Sequence, residues 1–196
     1  MRGALFNMEM RIVNEEVLFT TQDLTTVSRR DIEHLKAQAA KTRRGRIRLC
    51  AHPSVESAVH EMLIVHPKGA YVRPHKHVKK DESLHLIEGT ITVVIFHEDQ
   101  SVRDVISMGE YGSGRTFYYR LAGDVYHTLL IDSDVVVFHE ATSGPFQKSD
   151  MVIAPWAPEE NDLPAVRQFL DDLREQIGTP ADMTNAGRAR GSGVRA

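Results

Sequence analysis

The stretch GAYVRPHKHVKKDESLHLIEG, Gly69 to Gly89, decides how this chain is read. In an extended strand, residues two apart lie on one face, so His75 and His77 point the same way. The residues VKKD then read as a short loop. If the chain reverses there, Glu82 opens the next strand and its carboxylate faces the two imidazoles. Nitrogen and oxygen donors in this mix suit a divalent first-row transition metal, with Fe, Mn, Co, Ni and Zn all open. These ligands leave coordination positions free, and His127 is the candidate for a further one. It begins a strand-like run, YHTLLI, just after the turn LAGD, and an antiparallel neighbour would set it beside His75 and His77. His85 follows Glu82 by three residues, so parity places it on the opposite face. His139, in VVVFHE, could face either way. His34, His52, His60, His66 and His97 read as surface or hydrogen-bonded core histidines.

Outward from this stretch the pattern is one of short segments rich in Val, Ile, Phe and Tyr. Strands are expected near 46–50, 59–66, 70–75, 83–88, 90–97, 102–107, 115–121, 126–131 and 134–140. Turn signals such as HPKG, EGT, HEDQS, GEYGSG, LAGD and IDSD separate them. The fold class read from this is mainly β, a single antiparallel β-barrel or jelly roll. Residues 11–20 read as an early strand. A helix follows in TTVSRRDIEHLKAQAAKT, capped by Ser28 with Asp31 three residues on, and with Ile32, Leu35 and Ala39 on one face. After Pro145 the chain turns irregular. Residues 163–177 then read as a helix with Val166, Phe169, Leu170, Leu173 and Ile177 in a stripe. The organisation expected is an N-terminal strand and helix packed on the barrel (1–45), the barrel (46–160), a C-terminal helix (161–177) and a small, polar, disordered tail (178–196).

The 196 residues carry a net charge of −3, with 41% hydrophobic and 26% charged residues. This is the balance of one soluble domain, and it provides no global basic field for nucleic acid. No apolar run reaches the length of a membrane span. Met1–Met10 does not read as a signal peptide. The single cysteine, Cys50, cannot form an internal disulfide and has no evident activating partner. A reducing, cytoplasmic setting is expected.

Gly69, His75, His77, Glu82 and Gly89 form G-x5-H-x-H-x4-E-x6-G, which resembles the first signature of the cupin superfamily. Gly114 and His127 fit its second signature. Arg120 stands where a proline is usual, and Gly123 comes one residue early. YVRPHKH, RRGRIRLCAHP, GPF and APWAPEE are further similar to the WbuC-type cupin metalloproteins, over roughly residues 28–160. That group is named for its association with bacterial O-antigen and polysaccharide gene clusters. The resemblance implies one small barrel, a metal held by His75, His77, Glu82 and His127, and a homodimer. It implies no settled reaction.

Arg73 and Tyr71 share strand parity with His75 and His77 and are candidates to line the pocket. A guanidinium there binds carboxylate or phosphate through paired hydrogen bonds. The expected ligand is thus a small anionic or sugar-like molecule. The plain alternative is an Arg73 paired with a structural carboxylate. Tyr119 and Tyr126 are candidates for the same cavity. The resulting expectation is a metal-dependent enzyme of oxygenase, isomerase or lyase type on a small polar or anionic substrate, with no nucleic-acid or membrane partner. A non-catalytic metal- or sugar-binding accessory or sensor is the alternative.

Overall fold

A computed structural model describes residues 9–178. The expected disordered tail, apart from Gly178, lies outside the described residues, as do nearly all of the residues weighed as a signal peptide. The elements follow in order as β1 (Met10–Asn14), β2 (Val17–Thr20), α1 (Arg29–Ala39), β3 (Ile47–Cys50), β4 (Val59–Pro67), β5 (His75–His77) and β6 (Asp81–Glu88). Next come β7 (Thr90–Phe96), β8 (Val102–Gly109), β9 (Tyr118–Ala122), β10 (His127–Ile131), β11 (Val135–Ser143), β12 (Met151–Ile153) and α2 (Leu163–Ile177).

The strands form two sheets. One is seven-stranded in the order β1-β2-β3-β4-β11-β6-β9, and the other is five-stranded in the order β12-β5-β10-β7-β8. The expected closed barrel is therefore corrected to a two-sheet sandwich. At the β8/β9 side the described residues link the sheets only through a bridge between Met108 and Thr116. At the other side the wider sheet runs on into β3, β2 and β1, and β2 and β3 run parallel to each other. The early strand is also corrected, to a hairpin. Asn14 accepts from the Glu16 backbone N–H at 2.9 Å, an Asx-type turn that reverses the chain between β1 and β2.

The strand expected at 70–75 is instead His75–His77. Pro74 has no N–H to give a ladder, so pairing starts only after it. Its carbonyl accepts from the Ala154 amide at 2.9 Å and so holds the returning C-terminal segment.

Strand alternation sorts the apolar side chains into three layers. Between the sheets lie Leu84, Leu86, Ile91, Val93, Ile95, Leu129, Ile131, Val136 and Phe138. Outside the wider sheet, Ile32, Leu35 and Ala39 of α1 cover Ile47, Leu49, Leu63, Val65 and Val137. The Asp31 carboxylate accepts from the Ser28 amide at 2.8 Å and closes the start of that helix. Outside the narrower sheet, Leu173, Phe169 and Leu170 of α2 meet Val94, Phe96, Leu130 and Trp156. Asp162 caps α2 by accepting from the Ala165 amide at 3.2 Å, and Pro164 sits in the first turn. Each sheet thus has one face in the central layer and the other against a helix.

Cys50 is buried in the central layer, and burial pushes its thiol up to about 11. His66 faces the same layer, in register with Val136, and its Nδ1 has no hydrogen-bond partner among the described residues.

Two outcomes are expected. Phe138→Ala removes a fully buried side chain from the central layer and should cost about 3–5 kcal/mol in urea unfolding, whereas the exposed Leu163→Ala should fall within about 0.5 kcal/mol. Burial lowers the His66 pKa from 6.5 to about 4. Below pH 6.5 the unfolded chain takes the proton first, so stability is full above that value and declines as pH falls toward 4. His66→Phe should flatten this acid-side decline, and an unchanged pH slope would refute the assignment.

Candidate metal centre

Three strands bring the centre together. His127 opens β10 directly opposite His75 of β5, and His75 and His77 face the interior side by side. One ligand-capable atom from each of His75, His77 and His127 lies within 4.8 Å of the others. Glu82 reaches them from the opposite sheet. It shares the inward face of β6 with the core residues Leu84 and Leu86. Its carboxylate oxygens lie 3.1 Å from His77 Nε2 and 3.3 Å from His127 Nε2. The turn between β5 and β6 closes through Lys79, which takes a left-handed φ of 56° and whose amide donates to Asp124 at 2.8 Å. The chain reversal expected at VKKD is therefore present, as a turn that crosses from one sheet to the other, and it sets His77 against Glu82.

Backbone carbonyls orient two of the imidazoles. His75 Nδ1 donates to the Arg73 carbonyl at 2.8 Å, and His127 Nδ1 to the Val125 carbonyl at 3.0 Å. Each ring therefore presents Nε2 to the cluster, as in the outer-shell arrangement that orients metal-binding histidines. Burial, then the charges of His127 and His77, lower the His75 pKa to about 3, so its free lone pair persists through the neutral range. Burial opposes protonation of His127, but the Glu82 carboxylate outweighs it and raises the pKa. Burial likewise works to raise Glu82, but His127 and His77 hold its carboxyl well below the usual range. Once His127 gives up its proton, the donor set is three imidazole nitrogens with an ionised carboxylate, which fits a divalent transition metal. The His77 side chain keeps 19% of its exposure while Glu82 keeps 3%, so the centre is reached from the His77 side.

Two neighbours complete the surroundings. The Tyr119 hydroxyl donates to Glu82 Oε1 at 2.8 Å from the adjacent strand β9. Burial, with the charges of Glu82 and Glu140, pushes the Tyr119 pKa well above its usual value. Glu140 faces the same interior from β11, in register with Leu84. Burial and then the Glu82 charge raise its carboxyl to about 8. Sequence reasoning passed over Glu140, although the signal was there. It shares parity with the core residues Val136 and Phe138, and an acid on an apolar face is unusual.

Of the expected pocket residues, Tyr119 stands at the centre, whereas Arg73, Tyr71 and Tyr126 are placed elsewhere. Arg73 forks onto Glu159, with bonds of 2.8 and 2.7 Å, and donates to the Ala157 carbonyl at 3.1 Å. The Tyr71 hydroxyl donates to the Pro158 carbonyl at 3.1 Å, and its ring meets Phe169. Residues 70–74 are not strand, so the parity argument does not carry through them to either residue. Tyr126 precedes His127 by one position and so faces outward, against Trp156, with Lys76 Nζ 4.4 Å from its ring centroid. His85 pairs with His139 on the outer face of the wider sheet. His52 and His60 stack with ring centroids 4.2 Å apart.

A sequence-family model described as a domain of unknown function, DUF6016, matches residues 27–108. No curated protein matches the chain. An X-ray structure of a protein from Shewanella oneidensis is 9% identical, covers 56% of this chain and 74% of its own, and has a TM-score of 0.47. Recombinant oxalate oxidase in complex with glycolate is 12% identical over 59% of this chain and 58% of its own, with a TM-score of 0.45. Oxalate decarboxylase from Bacillus subtilis is 17% identical over 50% of this chain, with a TM-score of 0.41, and the chain spans 24% of its length.

The hydrogen bond to Glu82 makes Tyr119 a positioning residue for the carboxylate. Tyr119→Phe should weaken divalent-metal affinity by about 10–100-fold in a chelator competition while leaving the circular dichroism unchanged. Unchanged affinity would show that Glu82 needs no such support.

Proposed function

We propose that this chain is a cupin metalloprotein in which His75, His77, Glu82 and His127 hold one divalent transition metal, and that it acts as a metal-dependent enzyme on a small polar or anionic substrate. The observation that carries this reading is the convergence of three imidazoles from one sheet with an ionised carboxylate from the other. When bound, the metal would polarise a substrate oxygen or lower the pKa of a bound water. The chain itself would supply a fixed carboxylate, held by Tyr119, and a protonated carboxyl at Glu140 beside it. A neutral carboxyl near a reacting oxygen can donate a proton.

The finer parts of the reading rest on sequence. The motifs YVRPHKH, RRGRIRLCAHP, GPF and APWAPEE support a WbuC-type relationship and, through it, a place in polysaccharide biosynthesis. The division into 1–45, 46–160 and 161–177 belongs to the same reading, as does a cytoplasmic setting. No helix among the described residues is long and apolar enough to cross a membrane. A homodimer is supported by the outer face of β6 and β9, where Ile87 and Tyr118 are exposed beyond the reach of α1. The alternative, a non-catalytic metal- or sugar-binding accessory, is favoured by the engagement of Arg73 with Glu159, which removes that guanidinium as a substrate anchor.

Elemental analysis of untagged protein, prepared without chelator, tests the metal. Near-stoichiometric Fe, Mn, Co, Ni or Zn is expected, and the His75→Ala/His77→Ala variant should lose it. Folded protein that takes up no metal even on reconstitution would overturn the reading.

A further inference from the structure

The register of the wider sheet fixes which residues surround Glu82. Residues directly paired across a ladder share a face, so the pairings extend into rows. At the level of the centre the row on the inter-sheet face reads His60, Thr142, Glu82 and Leu121, across β4, β11, β6 and β9. The next row inward reads Met62, Glu140, Leu84 and Tyr119. Thr142 is thus the direct neighbour of Glu82, with Cβ atoms about 5 Å apart, and Glu140 is its diagonal neighbour at about 7 Å. No residue separates Thr142 from Glu82, whose oxygens reach His77 and His127.

These rows are open where the deeper ones are closed. Leu86, Val136 and Phe138 are fully buried, whereas Thr142, Glu140 and Leu121 are half-buried on the same face. The space between the sheets therefore opens at the metal end. Neither the Thr142 hydroxyl nor the Glu140 carboxyl has a hydrogen-bond partner among the described residues. By contrast His60 Nε2 is engaged by the Val55 carbonyl at 3.1 Å, and Tyr119 by Glu82. Two polar groups, two residues apart on one strand, are left facing the opening beside the centre.

The chemistry of the rows selects what fits there. Neither row contains a lysine or an arginine, and the ionised Glu82 repels a second anion. Burial and then the Glu82 charge raise the Glu140 carboxyl to about 8, so at neutral pH it both donates and accepts. A threonine hydroxyl does the same. Uncharged hydroxyl groups match both partners, and Leu121 on the other side of Glu82 supplies an apolar wall for C–H surface.

We propose that Thr142 and Glu140 form a subsite for the uncharged hydroxyl groups of a polyhydroxylated substrate, a sugar, polyol or sugar acid, whose other end is held at the metal centre. This deepens the metalloprotein reading and rests on it for the anchored end.

The test is a pair of titrations into the full chain loaded with zinc, with glycerate and propionate as probes. Both are three-carbon carboxylates, and only glycerate carries hydroxyls. Calorimetry gives the affinities, and the Thr142 Cγ2 methyl resonance locates the binding. A saturable methyl shift with glycerate is expected, and an affinity at least about fivefold above that of propionate. Thr142→Val should lose about fivefold in glycerate affinity and Thr142→Ser should keep it, with propionate affinity, metal content and circular dichroism unchanged in both. Glu140→Ala should weaken glycerate alone by a similar factor. Equal affinity for the two probes, binding of neither, or a Thr142→Val affinity within about twofold of the parent overturns the subsite and leaves the metal reading standing. Folded protein that takes up no zinc overturns the metal reading, and the methyl then decides the subsite: a saturable glycerate shift retains it, and its absence overturns it.

Discussion

The Glu82 carboxylate stands between two sheets. It belongs to the wider one, yet its oxygens lie 3.1 and 3.3 Å from imidazoles of the narrower one. A buried carboxylate is expensive unless paired and hydrogen-bonded. Here His77, His127 and Tyr119 all contact it, so the cost is met by groups from both layers. The pairing in turn constrains how the sheets lie, because any slide between them would strand the charge.

The rest of the architecture keeps that arrangement rigid. The central apolar layer fixes the separation of the sheets, and a helix covers the outer face of each. The carbonyls of Arg73 and Val125 aim two imidazoles through Nδ1. On the far edge, Arg73 and Tyr71 bind the segment Ala157–Glu159 and so tie the chain leading into α2 to the strand that carries His75. Those two residues support the centre from outside.

Much of the centre was legible in the sequence. The period of two put His75 and His77 on one face, the loop VKKD turned Glu82 back toward them, and the run YHTLLI marked His127 as the start of a strand. These inferences depend on contacts between close neighbours in sequence, or on strands whose faces alternate strictly. Parity failed wherever the strand itself failed. Pro74 ends the regular geometry just before His75, so Tyr71 and Arg73 took directions set by the C-terminal segment. Glu140 was overlooked because its meaning depends on a neighbour far away in sequence, although its place on an apolar face marked it.

The sequence by itself determined the strand-rich class, the two amphipathic helices with their buried stripes, and the chain reversal between His77 and Glu82. Each follows from side-chain periodicity and turn chemistry, which act over a few residues. Only the tertiary structure decided that the strands form two sheets rather than one closed barrel, that Tyr119 rather than Tyr126 contacts Glu82, and that Glu140 faces the same interior. Those outcomes depend on which strand edges meet and how far one sheet extends past the other. Such long-range pairings are set by the packing of the whole core, and no local pattern encodes them.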